Sequence, residues 1–305
     1  MLPMIVEMAR PLAVAKAFSP GSVTGFYSEF RDISHLHSGS FGAGFCINRG
    51  VQTDVRIYEA DSFGYEILIN GNIAKEARVS EFVIQYYLKM SSQPFFVKVT
   101  HMPQIPIGYG LGSSGAGALS LSYALNKALG TGLSDIEASQ VAHCAEIYCR
   151  TGLGTVLSEF YGGFNLRVIP GAPGIGAVEK INFDGQKIVI ICLSPIYTHS
   201  LQNVKRMTNE KCLENIQYIL RSGELELFFR ISYLAGLLNI DKLSKRSRHI
   251  LEILKAYNIP CSLALFGETI FTLASKREIY EIVTPRDELG IVLECEIEKN
   301  GVRLL

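Results

Sequence analysis

The chain has 305 residues and a formal net charge of zero, because 29 basic residues balance 29 acidic ones. This length can bury a full core and favours two domains, while the neutral balance argues against nucleic acid or an anionic membrane as partner. No apolar run approaches the ~20 residues of a membrane span, and seven cysteines without C-x-x-C spacing are typical of reduced thiols. We therefore expect a cytoplasmic protein.

The first half of the chain predicts mixed strands and helices. A helix over 113–129 should stop at Gly130, and a helix over 134–150 should start with a capping box formed by Ser134 and Glu137. A third helix is expected at 76–90 from its apolar spacing. Strands are predicted at 14–18, 42–57, 65–70 (as the hairpin partner of 42–57), 95–100 and 163–169.

The second half is expected to begin after a domain boundary near 171–186. We predict an α+β fold, because strands and helices do not alternate regularly. The expected elements are a strand at 187–193, helices at 203–220, 224–240 and 245–257, a hairpin within 262–273, a further helix and a last strand near 290–297.

A glycine-rich segment before the helix at 113 is the most informative feature of the sequence. It predicts an anion site, since glycines let the backbone approach a ligand and the helix start offers unpaired N–H groups. Its glycines and serines are Gly108, Gly110, Gly112, Gly115, Gly117, Ser113 and Ser114.

Two familiar phosphate loops fit this segment poorly. A Walker A loop requires Lys where this chain has Ala116. Gly110, Gly112 and Gly115 satisfy G-x-G-x-x-G, but a long loop with two prolines separates them from the preceding strand, which disfavours a dinucleotide site. A glycine-rich turn before a packing helix remains an alternative.

Further candidates lie on the helix at 134–150 and on two strands. Ser139, His143, Glu146 and Arg150 share one helical stripe, which is either a solvated face or one side of a site. Arg167, within an otherwise apolar strand, should meet a ligand carboxylate, a neighbouring Glu or an exposed edge. The glycine-rich loop around Ser40 is either a bulged turn or a donor to a ligand oxygen.

The segment PIGYGLGSSGA (106–116) resembles the second motif of the GHMP kinases, P-x-x-x-G-[LM]-G-S-S-[GA]-A. Four more segments are similar to the pantoate kinase branch of that family, and SLALFGETIF (262–271) resembles a weakened third motif. The four are AFSPGSVTGFY (17–27), GSFGAGFCINRGVQT (39–53), AEIYCRTGLGTV (145–156) and GGFNLRVIPGAPGIG (162–176).

The resemblance implies a two-domain GHMP kinase fold. Residues 1–178 would form an ATP-binding domain that contains a βαβ unit, and residues 179–305 a ferredoxin-like domain. The cofactors would be ATP and Mg²⁺, with Glu146 and Ser114 as metal ligands. The catalytic positions would be Glu146, Thr155, Ser113 and Ser114. Pantoate would be held by Ser40, His143 and Arg167, and the ATP phosphates by Gly108, Gly110, Leu111, Gly112, Ser113, Ser114, Gly115 and Ala116.

One position departs from the family pattern. Where relatives read T-G-L-G-D-V, this chain has Thr155 in place of the acidic residue that assists the reaction. A threonine cannot act as a base at neutral pH, so this position is either vacant, or a neighbour such as Glu159 does its work, or the phosphate itself takes the proton.

The implied function is phosphorylation of the 4-hydroxyl of pantoate in coenzyme A biosynthesis. The alternatives are a GHMP kinase for another hydroxy acid or alcohol (mevalonate, homoserine or shikimate), or a catalytically silent protein that binds ATP or pantoate. The sequence leaves the oligomeric state open and is compatible with a homodimer.

Overall fold

Two β-sheets, each covered by helices, account for the described part of the chain, residues 10–195, 205–265, 267–283 and 289–305 of a computed structural model. The strands are β1 Ala13–Phe30, β2 Gly39–Glu59, β3 Gly64–Ile69, β4 Asn72–Ile73, β5 Phe95–Pro103, β6 Phe164–Ile169, β7 Ala177–Ile181, β8 Lys187–Ser194, β9 Cys261–Ala264, β10 Glu268–Thr272, β11 Ile291–Glu296 and β12 Arg303–Leu304. The helices are α1 Arg78–Met90, α2 Ser113–Leu129, α3 Asp135–Cys149, α4 Thr155–Tyr161, α5 Asn209–Ser222, α6 Leu225–Leu237, α7 Lys245–Ala256 and α8 Lys276–Ile282.

The first sheet is built on a long antiparallel ladder between β1 and β2. Its order is β12-β1-β2-β5-β3-β4, and β6 joins it by pairing with the start of β2 and with β7. The predicted end of the first strand at residue 18 is wrong, because a register shift after Pro20 carries the pairing through to Phe30. Such a bulge lets a strand bend without ending. Ser40 accordingly lies within β2 rather than in the predicted loop.

The predicted hairpin between 42–57 and 65–70 is also wrong. Strand β3 pairs in parallel with β5, with Tyr65 opposite Val97, and β5 pairs antiparallel with β2. Parallel neighbours need a crossover connection, and α1 supplies it as part of a β3–α1–β5 unit. Alternating polarity predicts a strand at 65–70, but it does not identify the neighbouring strand.

Helix α2 is the central helix of the first half. Residues 115–125 are buried on every side, since they lie between the first sheet and α1 and α3. The predicted bounds 113–129 and the end at Gly130 are confirmed, and so is the Ser134–Glu137 capping box that opens α3. Helix α4 and strands β4, β7 and β12 were not predicted.

The second sheet has the order β11-β8-β10-β9 and is antiparallel throughout. In chain order this is 4-1-3-2 with helices in the two crossovers, the ferredoxin-like arrangement expected for this half. The α+β prediction is confirmed. The start of the helix predicted at 203, and Phe266 of the predicted hairpin, lie outside the described residues.

One hydrophobic core joins the two sheets. It includes strands from both sheets together with α5 and α6. An aromatic cluster lies at its centre, with ring centroids of Phe164 and Phe228 4.9 Å apart, of Phe229 and Phe271 5.2 Å apart, and of Phe45 and Phe271 5.5 Å apart. Because β12 also returns to the first sheet, the boundary at 178/179 stays a prediction. None of the described helices is long and apolar enough to cross a membrane.

We expect Phe228→Ala to reduce the free energy of unfolding by about 3–5 kcal/mol, because it removes a fully buried ring from the contact between the two sheets. The measurement is the midpoint of unfolding in urea. Phe63→Ala is the matched control, since the Phe63 side chain is 45% exposed. Equal midpoints for the two variants would contradict a shared core.

Candidate active site

The glycine-rich segment between β5 and α2 leads directly to the start of the helix. Gly108, Gly110 and Gly112 have φ angles of 87°, 73° and 73°, a left-handed conformation that favours glycine. Gly112 is the N-cap of α2, and no side chain caps this helix end. The first N–H groups of α2 therefore lack intrahelical partners and lie at the positive end of the helix dipole. This geometry suits a phosphate group.

The second sheet contacts the glycine-rich segment 108–112, which we call the phosphate loop. A Cβ atom added to Gly267 would lie 2.5 Å from the backbone of Tyr109, so only glycine permits the approach. Gly267 lies in the turn between β9 and β10, within the segment that resembles the third GHMP motif. The loop is thus held between α2 and the second sheet.

Glu146 of α3 is a buried carboxylate beside the loop, only 2% exposed. The Thr151 hydroxyl donates to Oε1 at 2.5 Å, while Oε2 has no hydrogen-bond partner among the described residues. Burial raises the pKa of Glu146, and the nearby hydroxyls of Thr151 and Ser114 oppose that rise. A free carboxylate oxygen in this position suits a hard divalent cation.

Glu159 of α4 is a second buried carboxylate, with no exposed surface. The Ser22 hydroxyl donates to its Oε1 at 3.1 Å, and Oε2 has no partner among the described residues. Both oxygens face the start of α2, since a Cβ on Gly112 would collide with Oε1 and one on Gly115 would lie 2.8 Å from Oε2. Burial, and then the charge of Glu146, raises the pKa of Glu159 well above its usual value.

Thr155, the first residue of α4, lies between these two carboxylates. A Cβ on Gly152 would collide with Oε2 of Glu146 and lie 3.1 Å from the Thr155 hydroxyl. On the other side, a Cβ on Gly115 would lie 2.9 Å from the Thr155 methyl group, next to Oε2 of Glu159. Thr155 and Glu159 are four residues apart and share one face of α4.

Arg167 of β6 is 2% exposed, which excludes the exposed-edge interpretation. Its Nε donates to the Ser40 hydroxyl at 3.2 Å and its Nη1 to the Ser158 hydroxyl at 3.0 Å. No carboxylate forms an ion pair with it among the described residues, and burial lowers its pKa to about 10. A buried guanidinium without a counter-ion is costly for the folded state, so this side chain is suited to an anionic ligand.

The turn formed by residues 152–155 connects the two ends of the site. Gly152 packs against the Glu146 carboxylate, as described above. Two residues later, a Cβ on Gly154 would collide with the Ser40 hydroxyl and lie 2.7 Å from Nε of Arg167. An anion on Arg167 and a phosphate on the loop would therefore lie on neighbouring sides of one short turn.

His143 occupies a supporting position one helical turn before Glu146. Its Nε2 lies 2.9 Å from the carbonyl oxygen of Ser38 and 3.1 Å from that of His35, so this nitrogen carries the proton and donates. Burial lowers the pKa of His143, which keeps the ring neutral. The ring holds the segment that precedes Ser40, and only Nδ1 remains for a ligand.

The structure thus brings the predicted residues Ser113, Ser114, Glu146 and Thr155 to the phosphate loop. Ser40 and Arg167 lie together on the other side of the turn. The solvated-face interpretation of the α3 stripe is wrong for Ser139, His143 and Glu146, which are buried, whereas Arg150 at the end of the stripe is exposed. Leu111 has a buried side chain and Ala116 lies inside α2, so neither offers more than backbone to a phosphate.

Three hydroxyl residues of the site, Ser22, Thr151 and Ser158, were missed. Ser22 and Thr151 lie in segments that carry the family resemblance, but those segments do not mark their hydroxyls as partners of Glu159 and Glu146. Glu159 was considered only as a neighbour of Thr155. The helical spacing of four residues between them would have identified it, had α4 been predicted.

We expect Arg167→Met to raise the free energy of unfolding of the ligand-free protein by at least about 1 kcal/mol, because it removes a buried charge that has no counter-ion. The urea midpoint measures this. Arg56→Met is the control, since Arg56 is half-exposed and pairs with Asp54 at 3.2 Å, and its effect should stay within about 0.5 kcal/mol. A strong loss of stability in Arg167→Met would show that the arginine serves the fold.

Comparisons with known proteins agree with this geometry. The GHMP kinases N terminal domain family matches residues 72–163, which span the phosphate loop, Glu146 and Thr155. A pantoate kinase from Methanocaldococcus jannaschii is 30% identical over 275 residues, covering 88% of this chain and 95% of that protein. A pantoate kinase from Thermococcus kodakarensis is 29% identical and covers 86% of this chain and 88% of that protein.

A solved structure described as a phosphotransferase related to the coenzyme A biosynthesis pathway has the same fold. It superposes with a TM-score of 0.80 at 24% identity and covers 95% of this chain and 98% of that one. The GHMP kinase fold expected from the sequence is confirmed, and enzymes of this fold family use ATP, typically with Mg²⁺. Because its sequence is 30% identical to that of an archaeal pantoate kinase over most of both chains, the chain belongs to the pantoate kinase branch of the GHMP kinase family.

Proposed function

We propose that this chain transfers the γ-phosphate of ATP to the 4-hydroxyl of pantoate and releases 4-phosphopantoate and ADP, a step in coenzyme A biosynthesis. The observation that carries the proposal is the buried Arg167, which has no counter-ion among the described residues and lies one short turn from the phosphate loop. Pantoate has a carboxylate for the arginine and a hydroxyl that can reach toward the loop. The names of the relatives support the same substrate.

The phosphate loop and Glu146 form the ATP end of the proposed site. Backbone N–H groups of Ser113, Ser114 and Gly115 would bind phosphate oxygens at the start of α2. The unpartnered Oε2 of Glu146, with the Ser114 hydroxyl beside it, fits Mg²⁺, which prefers carboxylate and hydroxyl oxygens. The bound ion would neutralise charge on the phosphates during transfer.

Arg167 and Ser40 form the acceptor end. The guanidinium would bind the pantoate carboxylate through charge-assisted hydrogen bonds, and the Ser40 hydroxyl is already oriented by Nε of Arg167. His143 keeps the chain before Ser40 in place through its two carbonyl contacts. Phosphoryl transfer has a loose transition state, so these positioning contacts supply much of the rate even though Thr155 cannot accept a proton.

The same proposal places the enzyme in the cytoplasm, as expected from its free cysteines. It assigns residues 1–178 to ATP binding and residues 179–305 to a domain that packs against the loop. A homodimer remains a prediction from the sequence alone.

The first test is ADP release by the purified protein with pantoate, mevalonate, homoserine and shikimate, each with and without Mg²⁺. We expect turnover with pantoate and Mg²⁺, and only background release with the other acceptors. Turnover with mevalonate or homoserine but not pantoate would contradict the substrate assignment. Nucleotide binding without turnover on any acceptor would indicate a silent binding protein.

We further expect two variants to separate the ends of the site. Glu146→Gln should weaken the Mg²⁺ dependence of ATP use and leave the pantoate KM nearly unchanged. Arg167→Ala should instead raise the pantoate KM by roughly 10- to 100-fold, the equivalent of losing a charge-assisted pair worth ~1.5–3 kcal/mol. Steady-state kinetics with each substrate varied in turn would measure both effects. An unchanged Mg²⁺ dependence in Glu146→Gln would remove that residue from the metal site.

A further inference from the structure

Thr155 leaves the site without the acidic residue that the family pattern has at this position, yet the structure holds a carboxylate one helical turn later. Glu159 follows Thr155 by four residues on the same face of α4, so its side chain reaches the region in front of α2. The two positions are therefore alternative points on one helix from which an acid could reach the phosphate loop.

The surroundings of Glu159 match those of Glu146. Both side chains are at most 2% exposed, and each has one oxygen that accepts from a hydroxyl and one that has no partner. Among the described residues, these two Oε2 atoms are the only buried carboxylate oxygens without a hydrogen bond. They lie on opposite sides of the Thr155 side chain, as the contacts of Gly152 and Gly115 show.

The charge of this pair of carboxylates is not balanced by an ion pair among the described residues. Neither Glu146 nor Glu159 forms an ion pair with a described Lys or Arg, and each has lost the solvation that water would provide. Two buried carboxylates that are close enough for the charge of one to raise the pKa of the other repel each other unless a proton or a cation reduces that charge. The unpaired N–H groups at the start of α2 offset only part of a charge.

We propose that Glu159 is the second acidic residue for the nucleotide-bound Mg²⁺, acting together with Glu146 in place of the acid missing at position 155. The inference rests on the proposed ATP site but not on the identity of the acceptor. The carboxylate of Glu159 would reach the site from one helical turn further along α4 than an acid at position 155.

The test measures metal binding without turnover. Mn²⁺, which is visible by electron paramagnetic resonance, is titrated into the full-length protein alone and with the non-hydrolysable analogue AMP-PNP. We expect Glu159→Gln to weaken Mn²⁺ binding in the presence of AMP-PNP by about 10- to 100-fold. Glutamine can still accept from Ser22, so the fold should persist, and circular dichroism and Tm check this. Glu281→Gln, an exposed carboxylate on α8, is the matched control and should bind Mn²⁺ as the wild type does.

The decisive comparison is a double-mutant cycle with Thr155→Asp. In the wild-type background the added carboxylate would crowd two others, and we expect unchanged or weaker Mn²⁺ binding. In the Glu159→Gln background, Thr155→Asp should recover at least about tenfold of the lost Mn²⁺ affinity, because it restores a second carboxylate beside Glu146.

Three results would overturn the proposal. The first is wild-type Mn²⁺ affinity in Glu159→Gln, which would make Glu159 a structural residue. The second is a gain in Mn²⁺ affinity from Thr155→Asp alone, which would show that position 155 is vacant. The third is failure of the double variant to recover Mn²⁺ affinity. Because no acceptor is present, these outcomes are independent of whether pantoate is turned over.

Discussion

The site depends on three ionisable groups buried around one short turn. Glu146, Glu159 and Arg167 are almost fully buried, and none of them has an ionic partner among the described residues. Burial of an unpaired charge costs free energy, and the surrounding fold must offset that cost. The turn at 152–155 keeps the carboxylates on one side and the guanidinium on the other, so a bound cation and a bound anion would each restore local neutrality.

The rigidity of this arrangement comes from packing that lies outside the site. Helix α2 is buried on nearly all sides, which fixes the direction in which its N-terminus points. The second sheet contacts the phosphate loop through Gly267, and its own position is set by the aromatic core around Phe228. The ferredoxin-like half thus reaches the nucleotide end through the close approach of Gly267 to the backbone of Tyr109.

Much of this could be predicted from the sequence where the signal is local. The glycine loop, the bounds of α2 and the capping box of α3 follow from turn chemistry and helix ends, and the structure confirms the two helices. Strand partners were predicted less well, because alternation shows a strand but not its neighbour, and β3 therefore received the wrong one. Ser22 illustrates a different limit, since its hydrogen bond to Glu159 spans 137 positions and no local pattern marks it.

The substitution at position 155 shows why a motif should be interpreted together with the helix that carries it. A sequence motif assigns chemistry to a fixed position, whereas a metal ion responds to where an oxygen atom lies. On α4, a short side chain at the first residue and a longer one a turn later can reach the same space in front of α2. The absence of an acid at Thr155 does not by itself leave the site without one. Oε2 of Glu159 has no hydrogen-bond partner among the described residues, and it lies close to Gly115, the glycine that the Thr155 side chain also approaches. When a protein lacks the carboxylate of a motif, the unpaired oxygen atoms around its site are thus better evidence of its function than the substituted residue alone.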